Sequence, residues 1–514
     1  MSILDVDATI IGGGLVGTLV AKLLVRRGMR VALIEKGPAA LADQLEARPN
    51  VRCSARRHDG VYNARNHVLG GNGHYWGGGL VRPRNTTLRA VLGLALSGNS
   101  TSEDLAPYFD VVEADVGLEE SPRNDRVFVS DGAIKDCWLS ETVVLPGRVR
   151  NLAASALEFL RGTKSCTIIC DSEIMHFDQG GPRRRLGVLS RGKRIDVVCD
   201  GLFLCAGTID TLLLVRRLGS ALHSSRMHSI GANVHDHISM PIGEVTIGES
   251  RAFQEFLFPT FRGNCIVGKR LELESADDSM RGVLHFQFRF DDSPLYRQIK
   301  RILALRQQRA GSIEILWAMT KASPHIFELC RIGYVRFVNS RLHVSRNVPV
   351  IVTLDVESTC CGDNKVEFDE FGDVVMSWDV RRDDEVAFER LYERARVILL
   401  ELAEKYRVQI KPLGDISTFE GRLDHLRREA TDAYHLGGGL VLGEVIDDRL
   451  RLIGAENVYV ISSAVFQRPG LANPTMSLMA LAHRCVDDLC FELGRMPKCE
   501  RRSRADQPRR GIPS

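Results

Sequence analysis

The sequence predicts a chain of mixed class, α/β at its start and α+β in its second half. Three observations carry this. Two short apolar runs, Ala8–Ile11 and Val31–Ile34, flank a stretch in which Leu15, Leu19, Leu23 and Leu24 recur at helical spacing, the strand–helix–strand order of a parallel unit. Residues 284–290 and 350–357 alternate apolar and polar side chains with period two, as half-buried antiparallel strands do. Residues 385–406 carry the period of a long amphipathic helix.

Composition bounds the function classes. At 514 residues the chain is long enough for a large core and for two to four domains of ~150 residues. With 44% hydrophobic and 26% charged residues it is not a disordered chain, and a net charge of +3 is too balanced to argue for a nucleic-acid partner. No run reaches the ~18 apolar residues of a membrane helix, and the first strand begins too early to leave room for a signal peptide. No membrane partner and a cytoplasmic location are therefore expected. The 13 cysteines lack CxxC pairs and zinc-finger spacing, so they read as free thiols in a reducing compartment, with no metal site. Residues 495–514 read as a disordered basic tail.

The turn from the first run into the helix is Gly12-Gly13-Gly14-Leu15-Val16-Gly17, a GxGxxG pattern, and Gly28 follows the helix at its C-terminal cap. In that pattern Gly12 permits the tight turn, Gly14 lets a pyrophosphate approach the backbone, and Gly17 lets helix and strand pack closely. The helix N-terminus offers unpaired N–H groups to the phosphates. Glu35, with Lys36 beside it, follows the second run, where a carboxylate accepts bonds from adenosine ribose hydroxyls and disfavours the 2′-phosphate of NADP. The unit is Rossmann-like and dinucleotide-binding, and it does not by itself separate FAD from NAD.

Further blocks follow. Gly70, Gly71, Asn72, Gly73, His74, Tyr75, Trp76, Gly77, Gly78 and Gly79 read either as backbone laid against a flat ligand or as a surface loop. An apolar run from Gly201 ends in Ala206-Gly207-Thr208 before a helical stretch, either a cofactor-facing connection or an ordinary strand-to-helix turn. Val234-His235-Asp236-His237 comes next. Near the end stand Tyr434-His435 before Gly437-Gly438-Gly439, then Ser462-Ser463, and Ala472-Asn473-Pro474-Thr475 ahead of a helix over 476–489.

Through these motifs, in this order, the chain resembles the glucose–methanol–choline (GMC) oxidoreductases, flavoenzymes that oxidise alcohols and sugars. The resemblance runs over nearly the whole chain and decides for FAD over NAD. It implies a discontinuous FAD-binding domain of 1–90, 160–245 and 430–494. A substrate domain of 91–159 and 246–429 is interleaved with it, an antiparallel sheet backed by helices. The cofactor would contact Gly12, Gly14, Leu15, Val16, Gly17, Glu35, Lys36, Gly71, Asn72, Gly73, Tyr75, Trp76, Gly77, Ala206, Gly207, Ser463, Asn473, Pro474 and Thr475. His435 matches the family's catalytic histidine, and an imidazole suits general-base work near neutral pH. Asn473 matches its partner, placed to hold the substrate oxygen or the hydride-donating carbon. His74, His235 and His237 are expected to be structural.

The chain departs from the family at Gly439, where Thr is usual, at Ser462, where Asp is common, and at Ala464, where Ser is common. Some members tether FAD through a histidine at the position of Tyr75. His74 is one residue off, and neighbours on an extended segment point to opposite sides, so FAD is expected to be non-covalent.

In the resemblance one face of the substrate-domain sheet roofs the flavin. The polar sides of the two alternating segments, His285, Gln287 and Arg289 with Thr353, Asp355 and Glu357, then suit a sugar, glycoside, cyclitol or amino sugar rather than a steroid or long alkyl alcohol. The plainer reading makes that face solvent-exposed. The expected reaction is oxidation of CH–OH, with oxygen or another electron acceptor undecided. Alternatives are a lyase resembling the hydroxynitrile lyases and a non-catalytic FAD-binding homologue. A monooxygenase or amine oxidase lacks support, since Gly372-Asp373 stands in the wrong context for a second motif.

Overall fold

The computed structural model describes residues 2–41, 51–83, 91–93, 105–118, 127–129, 137–146, 151–178, 183–218, 228–246, 251–274, 280–307, 311–345, 348–359, 362–369, 373–414 and 418–495. The expected tail beyond Arg495, Cys360, Cys361 and Gly372 lie outside the described residues.

The two apolar runs form the centre of a five-stranded parallel sheet in the order Val458–Val460, Gly201–Leu204, Ala8–Ile11, Val31–Ile34, Cys166–Ile169. All residues of the first four are buried, as in a parallel sheet covered on both faces, and this explains why their sequences are continuous apolar runs rather than alternating ones. Helix Leu15–Arg26 packs on the sheet and against helices Leu152–Arg161 and Pro474–Glu492. Gly28 ends the first helix at φ +76°, the left-handed conformation for which glycine is suited.

A second sheet joins Ser2–Asp5 to the meander Ser172–Asp178, Arg184–Ser190 and Lys193–Cys199. The largest sheet is antiparallel. Its path runs Gln409–Pro412, His237–Thr246, Val350–Glu357, Arg281–Phe288, Cys265–Glu274, Cys137–Val144, Gly79–Leu80. Helix Arg382–Tyr406 covers one face of this sheet through Phe388, Leu391, Ala395, Ile398 and Leu402, all buried. It begins earlier than the apolar period indicates because Asp384 accepts the Arg381 N–H at 2.8 Å and the first turn is acidic. The expected strand 284–290 runs instead over Arg281–Phe288 and stops at the 3₁₀ turn Phe290–Asp292.

The boundaries between the two halves differ from those expected. His237–Thr246 and Thr431–Asp432 pair within the large sheet, so the chain crosses from one half to the other at Asp236 and again near His435. Helices Ala106–Asp115 and Leu152–Arg161 pack on the helices of the parallel sheet, not on the antiparallel one. Among the described residues no cysteine is in a disulfide, and no helix is long and apolar enough to cross a membrane.

Candidate active site

A cavity of about 1600 Å³ lies along the C-terminal edge of the parallel sheet. The turn Gly12–Gly17 forms one wall. A Cβ on Gly17 would stand 1.9 Å from the Gly12 carbonyl oxygen, so this glycine is required for helix and strand to meet and does not itself line the cavity. Gly14, by contrast, has nothing within 4 Å of the position a Cβ would take. It caps helix Leu15–Arg26 with no side-chain bond, leaving the first N–H groups of the helix open to the cavity. The second glycine block stacks on the first, the Gly70 N–H donating to the Gly13 carbonyl at 2.8 Å.

Glu35 is buried at the same end. Its Oε2 accepts the Gly13 N–H at 2.7 Å and its Oε1 the Gly37 N–H at 2.8 Å. Burial raises its pKa while these two bonds oppose the rise. Across the cavity Asp210 pairs with Arg65 at 2.7 Å and with His67 at 3.1 Å. Burial would raise the Asp210 carboxyl, but His67 and Arg65 hold it well below the usual range.

At the other end the two chain crossings run antiparallel. Ala232 and His235 pair with Gly439 and Gly437, then Ile238 and Ser239 with Asp432 and Thr431. Asp236 and His435 face each other in the gap between these two short ladders. Asp236 is fully buried, and it takes the His435 N–H on Oδ2 at 2.8 Å and the His237 N–H on Oδ1 at 2.6 Å. Behind it His58, also fully buried, places Nε2 3.2 Å from Asp236 Oδ2 and Nδ1 3.4 Å from Asp432 Oδ2. The Leu436 carbonyl is held by Thr208 Oγ1 at 2.7 Å and Ser463 Oγ at 2.9 Å. Thus the backbone on both sides of His435 is pinned, and its ring lines the cavity.

The charges follow from this packing. Burial pushes His435 down to about 4, reinforced by His237 and opposed by Asp236, so its imidazole is neutral at pH 7. Burial opposes ionisation of Asp236, but His237 and His58 keep it strongly acidic. His58 would be lowered by burial, yet Asp236 and Asp432 raise it above its ordinary value. The Nδ1 of His435 is enclosed without a protein partner. Asn473 caps helix Pro474–Glu492 without bonding it, leaving its amide toward the same cavity as the helix N-terminus.

Residues 365–482 match the C-terminal family model described as GMC oxidoreductase. Over nearly the whole chain the fold is that of solved enzymes of this kind. Pyridoxine 4-oxidase from Mesorbium loti superposes with TM-score 0.56 at 16% identity, over 94% of this chain and 98% of that one. A variant formate oxidase of Aspergillus oryzae gives 0.58 at 14%, over 96% and 99%. A fungal aryl-alcohol oxidase gives 0.56 at 14%, over 95% and 99%. The C-terminal segment thus matches the GMC oxidoreductases, and the fold as a whole is shared with these solved enzymes. A curated Drosophila melanogaster protein, neither inactivation nor afterpotential protein G, is 39% identical over 61 residues, 12% of this chain and 10% of that protein. The chain thus matches about a tenth of that relative's length.

GMC oxidoreductases bind FAD, and the cavity fits it. The open space over Gly14, the uncapped helix N-terminus and the buried Glu35 all stand along one elongated cavity. Every residue expected to contact the cofactor lines it except Gly17, and His435 lines it with them. Of the six polar residues expected to roof it, Gln287 alone lines the cavity. Arg289 is exposed. Thr353 and Glu357 are buried, and Glu357 accepts from Arg468 at 3.0 Å. Asp355 is paired with His285 at 3.0 Å; against its burial, that histidine and Ser239 hold it down to about 2. This face of the sheet is therefore covered around Thr353, Asp355 and Glu357, exposed at Gln287 and Arg289, and not mainly a substrate roof. It packs on the segment around residues 466–471, to which Arg270 also donates through the Leu471 carbonyl at 2.6 Å.

The departure at Gly439 has a steric cause. Its φ is +101°, and a Cβ would meet the Leu212 side chain at 2.8 Å, so a threonine has no room there. Ser462 accepts the Ala464 N–H at 3.2 Å and acts as a small cap. His74 is held by the Leu69 carbonyl at 2.9 Å and does not line the cavity, whereas Tyr75 does. His237 and His235 bond the Gly470 and Phe466 carbonyls. Sequence reasoning missed His58, Asp432, Arg65 and the carboxylate role of Asp236. For Asp236 a signal existed, a lone acid between two histidines beside apolar residues.

Proposed function

We propose that the chain oxidises a CH–OH group of a small polar alcohol to a carbonyl with non-covalent FAD, in a cytoplasmic setting that its free thiols suit. The observation that carries the reading is a neutral, backbone-pinned His435 and an uncommitted Asn473 amide at one end of a cavity whose other end is a dinucleotide cradle. When bound, FAD supplies the acceptor for the carbinol hydride. His435 takes the hydroxyl proton on an imidazole nitrogen, which its depressed pKa leaves free at neutral pH. Asn473 orients the substrate oxygen. The N-terminus of helix Pro474–Glu492 favours negative charge at that end of the cavity.

Gln287, Asn63 and Tyr434 line the cavity and supply polar groups for a hydroxylated substrate, which supports a sugar, glycoside, cyclitol or amino sugar. Pyridoxine, on which one structural relative acts, is likewise a polar alcohol. The placement of Tyr75 rather than His74 at the cavity supports non-covalent attachment.

Anaerobic mixing with sugars, glycosides, aminoglycosides and simple or aryl alcohols should bleach the flavin with a polar member of the set. Bleaching by apolar alcohols alone overturns the substrate class. No bleaching by any alcohol, with cyanide release from a cyanohydrin, overturns oxidation in favour of a lyase. Acid precipitation should leave the yellow colour in the supernatant; colour retained in the pellet means a covalent bond.

A further inference from the structure

Between strands Arg281–Phe288 and Val350–Glu357 the chain inserts three helices, Pro294–Gln307, Ser312–Ala322 and Ile326–Val338. The second and third are turned inside out. On Ser312–Ala322 the exposed side chains include Ile313, Leu316 and Trp317, at helical spacing, with Met319. On Ile326–Val338 the large exposed apolar side chains are Ile326, Phe327, Tyr334, Phe337 and Val338, and no described residue of that helix is buried. Ile313, Phe327 and Phe337 are each more than four-fifths exposed. Scattered apolar residues on a surface need no explanation; an exposed apolar stripe along each of two successive helices does.

The same insertion is strongly basic. Residues 294–349 hold ten Lys or Arg against two Glu, a net +8 in a chain of +3, so the remainder carries −5. Arg297, Lys300, Arg301, Lys321 and Arg331 are exposed. Lys321 lies 3.8 Å over the ring of Trp317, at the border of the apolar stripe. Aromatic and aliphatic side chains rimmed by Lys and Arg are the composition of a surface that lies in a lipid interface. A second copy of the chain is a poorer occupant, because a two-fold contact would bring two +8 faces together.

From this apolar face and its charge we infer that helices Ser312–Ala322 and Ile326–Val338 dock the protein on an anionic lipid surface. The mode is peripheral, since no helix among the described residues is long and apolar enough to cross a bilayer.

The test is flotation of the full, FAD-loaded chain with phosphatidylcholine vesicles, with and without roughly one third phosphatidylserine. Binding to the anionic vesicles is expected to exceed that to the neutral ones at least ~10-fold and to fall by a similar factor at ~0.5 M salt. Phe327→Glu with Phe337→Glu, and separately Lys321→Glu with Arg331→Glu, should each reduce it ~10-fold at unchanged flavin content. Trp317 of the unsubstituted chain should be quenched by brominated anionic lipid, a signal that Trp317→Phe removes. Equal partition into both vesicles, no flotation, or a dimer by light scattering that Phe327→Glu with Phe337→Glu converts to monomer would overturn the inference.

Discussion

Replacing His435 with alanine should slow substrate-dependent flavin reduction by about 10³-fold while FAD remains bound. The size follows from what the imidazole does: without a positioned base the hydroxyl proton must leave to water during hydride loss. FAD should stay because the glycine turns, Glu35 and the two helix N-termini are untouched. The wild-type pH profile carries the sharper content. An ordinary histidine has a pKa of about 6.5, and a base of that kind would lose activity below neutrality. Burial and the neighbouring His237 push His435 down to about 4, so the acid limb of the reduction rate belongs near that pH. An acid limb near 6.5, or a His435→Ala variant keeping more than a tenth of the rate, would show that another group takes the proton.

The parallel sheet was legible because its physics is local. Ala8–Ile11 and Val31–Ile34 are buried on both faces, which forces continuous apolar runs, and the turn between them needs glycines at fixed spacing. The large antiparallel sheet was legible only in part. The alternation at 350–357 reports one apolar and one polar face, but not that the polar face is covered by the segment carrying Arg468 and Leu471. Periodicity likewise cannot distinguish an apolar stripe facing the core from one facing outward, so helices Ser312–Ala322 and Ile326–Val338 show no signal until their exposure is known. The support of His435 was the least legible. His58, Asp236 and Asp432 come from three distant parts of the chain and meet only because the two domain crossings run side by side.

That support yields the second large effect. Asp236→Ala should destabilise the folded protein by about 3–5 kcal/mol, the range for removing one partner of a buried charged pair. Two groups lose their acceptor at once, the His435 N–H and the His237 N–H, and the His58 ring loses the carboxylate that stands 3.2 Å from its Nε2. The loss should appear as earlier flavin release on heating. Its pH dependence separates a charge role from mere packing. The folded-state pKa of Asp236 is depressed, so its stabilisation is full above the ordinary carboxylate value and is lost as pH falls through the folded one. That of His58 is raised, so its stabilisation is full below about 6.5 and is lost as pH rises through the folded value. The part of wild-type stability that His58 supplies should therefore decline from mildly acidic toward alkaline pH. His58→Gln should be less stable than wild type at pH 6 and should lose most of that alkaline decline. If His58→Gln keeps the wild-type pH slope, the imidazole is not charged between the two carboxylates, and Asp236 holds His435 through backbone bonds alone.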